Sequence, residues 1–174
     1  MPSLQEARTR IEAEYRRRTP RSAALFERAG HALPGGDTRN STTFAPYPTY
    51  VVRGEGVRLT DVDGNELLDF LNNYTSLIHG NAFPPVIDAA RKQIELGSAF
   101  GAPNEFQVQL AALMCERVPS VERIRFTNSG TEGTMMAIRG ARAFTGRELI
   151  VKIEGGDHGT HDSVSGGAGI LRAT

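Results

Sequence analysis

The chain has 174 residues with 39% hydrophobic content, and 20 Lys plus Arg balance 20 Asp plus Glu to a formal charge of zero. That length can bury a real core, and the charge balance excludes the basic footprint of a nucleic-acid or anionic-membrane binder. Cys115 is the only cysteine and no apolar run reaches the roughly 18 residues that span a bilayer, so a disulfide-free cytoplasmic chain without signal or transit peptide is expected.

Residues 3–18 are charged and helix-favouring, with Leu4, Ala7, Ile11 and Tyr15 along one face, and a second helix is predicted from Ser22 to Ala32 after Pro20. Pro34-Gly35-Gly36 breaks the pattern, and residues 37–48 have the composition of an ordered loop whose one cation is Arg39. Residues 49–53 and 57–60 read as a hairpin, and 66–71, after the Asp63-Gly64-Asn65 turn, as a third strand. From Pro84 the pattern changes to longer elements. Ile87, Ala90 and Ile94 make a helical stripe ended by Gly97, and Phe106, Leu110, Leu113 and Met114 make another. Residues 121–127 then read as a strand, a helix runs to about Phe144, and 148–153 read as a strand again, which predicts a parallel α/β unit with a right-handed crossover. The last twenty residues are glycine-rich. A parallel sheet with one crossover lacks covering layers, so the domain is expected to close only with further sequence.

Ser129-Gly130-Thr131-Glu132 lies where strand gives way to helix, and the first turn of a helix presents free N–H groups carrying about half a positive charge. Two readings are open. Gly130 lets an anion approach the backbone with the Ser129 and Thr131 hydroxyls beside it, whereas Ser129 and Glu132 also match a capping box. The run Asp157-His158-Gly159-Thr160-His161-Asp162 follows a strand, where open α/β sheets hold ligands. Its flexible spacing and the absence of a Cys or Glu cluster argue against a metal. Cys115 reads as a buried structural thiol rather than a nucleophile, and no Gly-x-Ser-x-Gly elbow supports a catalytic triad. The planar fork of Arg39 suits a carboxylate.

The order of motifs resembles the amino-terminal part of class III pyridoxal-phosphate aminotransferases, in the branch of glutamate-1-semialdehyde aminomutase and β-amino-acid aminotransferases. The matching pieces are Leu33-Pro34-Gly35-Gly36 with Arg39, Asp61-Val62-Asp63-Gly64-Asn65, Gly101-Ala102-Pro103, Arg125 to Glu132, Ala137-Ile138-Arg139 and Thr145-Gly146-Arg147. The resemblance implies the type I fold of pyridoxal-phosphate (PLP) transferases, in the α/β class. Residues 1–80 would form arm helices and a small antiparallel sheet, and 81–174 the first part of the large cofactor-binding domain. It implies that Ser129, Gly130 and Thr131 cradle the cofactor phosphate, that Asp157 and His158 lie beside its ring, that Arg39 holds a substrate carboxylate and that Tyr74 lines the substrate pocket. Small amino-acid or keto/aldehyde substrates and a homodimer follow from the same likeness.

Two departures stand out. Asp157 replaces the aromatic residue that relatives place before the histidine, and a carboxylate has no ring face to stack, a contribution of about 0.5–1.5 kcal/mol. The Schiff-base lysine of the family has no counterpart here, because Lys92 and Lys152, the only lysines, both fall at other positions. The chain by itself is therefore expected to be inactive. A second expectation is a non-catalytic phosphate-binding or dimer-assembly module.

Overall fold

The computed structural model describes residues 3–165, the side chain of Asn40 excepted. In chain order the elements are α1 (Leu4–Arg18), α2 (Pro20–Gly30), two 3-10 turns (Pro34–Gly36 and Asn40–Thr42), β1 (Val51–Glu55), β2 (Arg58–Asp61) and β3 (Glu66–Leu68). A single turn α3 (Asn72–Thr75), α4 (Pro84–Leu96), α5 (Glu105–Arg117) and α6 (Gly130–Thr145) follow. They fall into two compact units, Met1–Ala99 and Phe100–Thr174. The division follows Ala99 rather than residue 80. The reason is a backbone bridge in which Gly56 and Asn81 exchange two hydrogen bonds of 2.8 Å, tying the segment before α4 to the hairpin.

In the first unit, Ser3 and Glu6 form a reciprocal capping box that starts α1. The predicted apolar stripe packs only at its end: Leu4 and Ile11 are exposed, while the Tyr15 hydroxyl lies 2.9 Å from both the Tyr47 carbonyl and the Thr49 hydroxyl. Helix α2 begins at Pro20, two residues before the expected start, because proline is pre-set for the first helical position. Its N-cap Thr19 supplies no side-chain bond. The cap comes from the β2–β3 turn: Asp63 accepts from the amides of Arg21 (2.7 Å) and Ser22 (3.0 Å) and from the Ser22 hydroxyl (2.9 Å).

The three strands pair antiparallel in the order β1-β2-β3, with Arg53 opposite Thr60 and Leu59 opposite Leu67. Asp61, 2% exposed, is satisfied by the Asp63 and Asn65 amides and the Asn65 side chain. The third strand ends at Leu68 rather than Leu71, because the Asp69 carboxylate takes up the amides of Leu71 and Asn72 and turns the chain.

In the second unit, Asn104 caps α5 by accepting from the Gln107 amide, and α6 ends at Gly146, whose φ of 67° lets its amide return to the Arg142 carbonyl. Cys115 is half-buried rather than buried, with its sulfur 3.5 Å from the Glu122 carbonyl. The segments expected as parallel strands, 121–127 and 148–153, belong to no ladder: the only sheet among the described residues is the antiparallel one. A parallel strand is stabilised by neighbours on its flanks and layers on its faces, and these two segments do not pair with each other. Ile150, Val151 and Lys152 all border a cleft of about 360 Å³ with Ala137, Ile138 and Val164, while Leu149 and Ile153, outside that lining, are 94% and 76% exposed. The glycine-rich tail beyond Ser165, including Gly166, Gly167 and Gly169, lies outside the described residues. No helix among the described residues is long and apolar enough to cross a membrane.

Candidate functional site

Two groups of candidate residues form, one in each unit. In the second unit, Ser129 caps α6 by accepting from the Glu132 amide at 3.2 Å. Glu132 does not close the box on Ser129 itself; it reaches one residue further and accepts from the Asn128 amide at 2.7 Å. The cap therefore satisfies the third amide of the helix and leaves the first two. Among the described residues, the Gly130 and Thr131 N–H groups donate to no protein acceptor. Gly130 is exposed and a Cβ built on it meets nothing within 4 Å, so a ligand can approach the backbone at that residue. Capping and anion binding are thus compatible. Two free amides and two hydroxyls at the positive end of a sixteen-residue helix form a set of donors that could hold an anion.

The loop carrying Asp157 and His158 folds onto this turn. Gly159 has φ +100°, and a Cβ there would lie 2.9 Å from the Thr131 Cα. Only glycine fits that approach. The Thr160 amide donates to the Thr131 hydroxyl at 3.2 Å, and the Thr134 hydroxyl donates to the His158 carbonyl at 2.9 Å. Asp157 closes the loop by accepting from the Gly159 amide at 3.0 Å, and the His158 ring meets the Ile153 carbonyl through Nε2 at 3.2 Å. Among the described residues no group of acids, cysteines and histidines could hold a metal ion. Lys152 donates its Nζ to the Val164 carbonyl at 2.6 Å.

In the first unit, the loop bearing Arg39 is built on Asp37. Its carboxylate accepts from the Thr42 hydroxyl and from the amides of Thr38 (2.6 Å) and Arg39 (3.1 Å). The Thr42 hydroxyl and then the Arg39 amide hold the Asp37 carboxyl below the usual carboxylate range. The Arg39 side chain is exposed, and among the described residues it has no hydrogen bond or ion pair. Tyr74 reaches this loop, its hydroxyl 2.6 Å from that of Ser41. It does so from a left-handed turn: Asn72, Asn73, Tyr74 and Thr75 have φ of 50°, 46°, 56° and 67°. That conformation costs roughly 1–2 kcal/mol per residue and persists where surrounding bonds fix it. Asp69 supplies them, through the Asn72 amide at 2.7 Å and the Asn81 side chain at 2.8 Å. These bonds, the Asn81 side chain first, lower the Asp69 pKa.

Sequence reasoning missed Ser41, Asp69, Thr134 and Thr160. Asp37 was missed as well, although an aspartate two residues before Arg39 carries the signal of an Asx turn; a lone hydroxyl such as Thr134 carries no local signal.

The sequence pattern of the aminotransferase class III family matches residues 40–168. The chain belongs to this family. It is 48% identical over 144 residues to the glutamate-1-semialdehyde 2,1-aminomutase of Methanothermobacter thermautotrophicus, covering 83% of the chain and 34% of that relative. Among solved structures it is similar to an omega-transaminase from Sphaerobacter thermophilus, with TM-score 0.79 and 54% identity over 81% of this chain and 32% of that one. A transaminase with PLP bound gives TM-score 0.80 and 47% identity, over 83% and 34% of the two chains. Class III aminotransferases depend on PLP, and the helices with the small antiparallel sheet fit the type I fold. The chain spans about a third of the length of the curated relatives it matches.

Proposed function

We propose that this chain provides the phosphate-gripping part of a PLP site in a class III aminotransferase or aminomutase that moves an amino group on small amino-acid or keto/aldehyde substrates. The observation that carries the proposal is the pair of amides at Gly130 and Thr131 that donate to no protein acceptor among the described residues, with Gly130 exposed and a histidine loop latched beside them. Ser129, Gly130 and Thr131 hold the phosphate, and His158 flanks the ring. Asp157 offers no stacking face and instead fixes the turn of the loop. Arg39 takes the substrate carboxylate, with Tyr74 at the pocket wall. When bound, PLP supplies a conjugated ring that accepts the electron pair released at the substrate carbon. A cytoplasmic homodimer is part of the same reading.

The test is equilibrium dialysis of the native gene product against PLP and against pyridoxal. Binding of PLP with at least a tenfold preference over pyridoxal is expected, since charge-assisted hydrogen bonds contribute about 1.5–3 kcal/mol. Gly130→Asp, which sets a carboxylate before the amides, is expected to abolish the preference. Equal binding of both compounds would reject the phosphate assignment.

A second prediction concerns the lysines. In this reading neither lysine is the family's cofactor lysine: Lys92 lies exposed on α4 and Lys152 donates to the Val164 carbonyl. After incubation with PLP, borohydride reduction and digestion, neither peptide is expected to carry a stoichiometric pyridoxyl label. Such a label on Lys152 would overturn this reading.

A further inference from the structure

The geometry points to His161 as a positioning residue that latches the 157–161 loop onto the N-terminal end of α6 through the Thr134 hydroxyl, with its proton on Nε2. The consequence for cofactor binding rests on the phosphate assignment above; the latch itself does not.

Four groups surround Thr134 Oγ1: the carbonyls of Gly130 (3.1 Å), Thr131 (3.1 Å) and His158 (2.9 Å), and His161 Nε2 at 3.2 Å. A hydroxyl has one hydrogen to give and two lone pairs to offer, and a carbonyl only accepts. In the proposed latch that hydrogen goes to the nearest carbonyl, that of His158 at 2.9 Å, rather than to His161 Nε2 at 3.2 Å. The fourth neighbour must then donate, so His161 carries its hydrogen on Nε2, as the neutral Nε2–H tautomer or as imidazolium. A bare Nε2 would compete with the His158 carbonyl for the single hydrogen, and the loop would lose an anchor. His161 thus leaves the Thr134 hydrogen free to hold the backbone of the residue that carries the His158 ring.

The same latch orients the phosphate turn. It keeps Gly159 against Thr131 and the Thr160 amide on Thr131 Oγ1. With one lone pair engaged by that amide, the Thr131 hydroxyl hydrogen is free to donate to an anion. The two histidines, three residues apart, have separate tasks: His158 meets the Ile153 carbonyl and His161 meets Thr134.

The test uses the ¹⁵N-labelled native gene product. Imidazole nitrogen correlations are expected to show neutral His161 as the Nε2–H tautomer; an Nδ1–H tautomer would overturn the proposal. Hydrogen exchange of the Thr160 amide, measured without ligand, is expected to accelerate about tenfold in His161→Ala and in Thr134→Val, the loss of roughly one hydrogen bond. His161→Gln, whose amide can donate to the hydroxyl, and Thr134→Ser, which keeps it, should restore protection to within about threefold. His161→Leu, which only fills space, should not. Unchanged exchange in His161→Ala, or rescue by leucine as full as by glutamine, would sink the latch. Inorganic phosphate then separates the two readings. Binding weakened three- to tenfold in His161→Ala supports both. A wild type that binds no phosphate rejects the phosphate assignment, while the tautomer and exchange results still decide the latch.

Discussion

Replacing Asp63 with alanine is expected to lower the unfolding free energy of the arm-and-sheet unit by about 3 kcal/mol, from two helix-end amides and one hydroxyl that lose a charged acceptor. Ser22 is fully buried, so its hydroxyl has no water to turn to. The same hydroxyl accepts from the Tyr50 amide at 3.4 Å, so the loss passes from α2 to the chain entering the sheet. Urea titration followed by tyrosine fluorescence of the native gene product measures the effect, and an unchanged midpoint would show the cap to be idle. The pH dependence has a definite sign. Burial pushes the Asp63 carboxyl up, but the Arg21 amide and the Ser22 hydroxyl and amide outweigh it, and the group titrates below its ordinary value. Its stabilisation is complete above the unfolded carboxylate pKa of about 3.9 and is lost as pH falls through the lower folded value. Asp63→Asn should retain part of the bonding and lose this pH dependence.

The second large effect is expected at Gly159. An alanine there must adopt a φ of +100° and place its Cβ 2.9 Å from the Thr131 Cα and 3.2 Å from the Thr134 hydroxyl. The first of these neighbours is backbone and cannot rotate away. Strain and overlap together cost about 3 kcal/mol, which the loop relieves by lifting off α6. Gly159→Ala should therefore weaken PLP binding about a hundredfold and expose the Thr160 amide to exchange. Binding within threefold of the wild type would mean that the loop's contact with α6 contributes nothing to the site.

The sequence made the local elements legible and left the partnerships dark. Ser129 announced the start of α6 and its cap is present; Ser3 and Asn104 cap α1 and α5 in the same way without having been singled out. The antiparallel hairpin was readable from alternation and a glycine turn. The cap of α2 was not, because its acceptor lies more than forty residues away at Asp63. The segments 121–127 and 148–153 have the composition of strands, but composition does not supply a neighbour, and no ladder forms. At the candidate site, Ser129, Gly130 and Thr131 were visible as a motif. That the cap leaves two amides free depends on where the Glu132 side chain turns, which spacing alone does not decide. Tyr74 came from resemblance; its left-handed backbone has no signature in Asn72-Asn73-Tyr74-Thr75 beyond the tolerance of asparagine for that region.

The bare side of residues 149–153 has a consequence for handling the protein. Leu149, Val151 and Ile153 offer an unpaired, β-branched-rich template of the kind that recruits a second copy of itself into a growing cross-β stack. Glu148 and Glu154 stand at its two ends as gatekeepers, since in-register stacking would bring like charges together at every rung. Neutralising that pair would remove this repulsion and leave the exposed apolar segment unguarded.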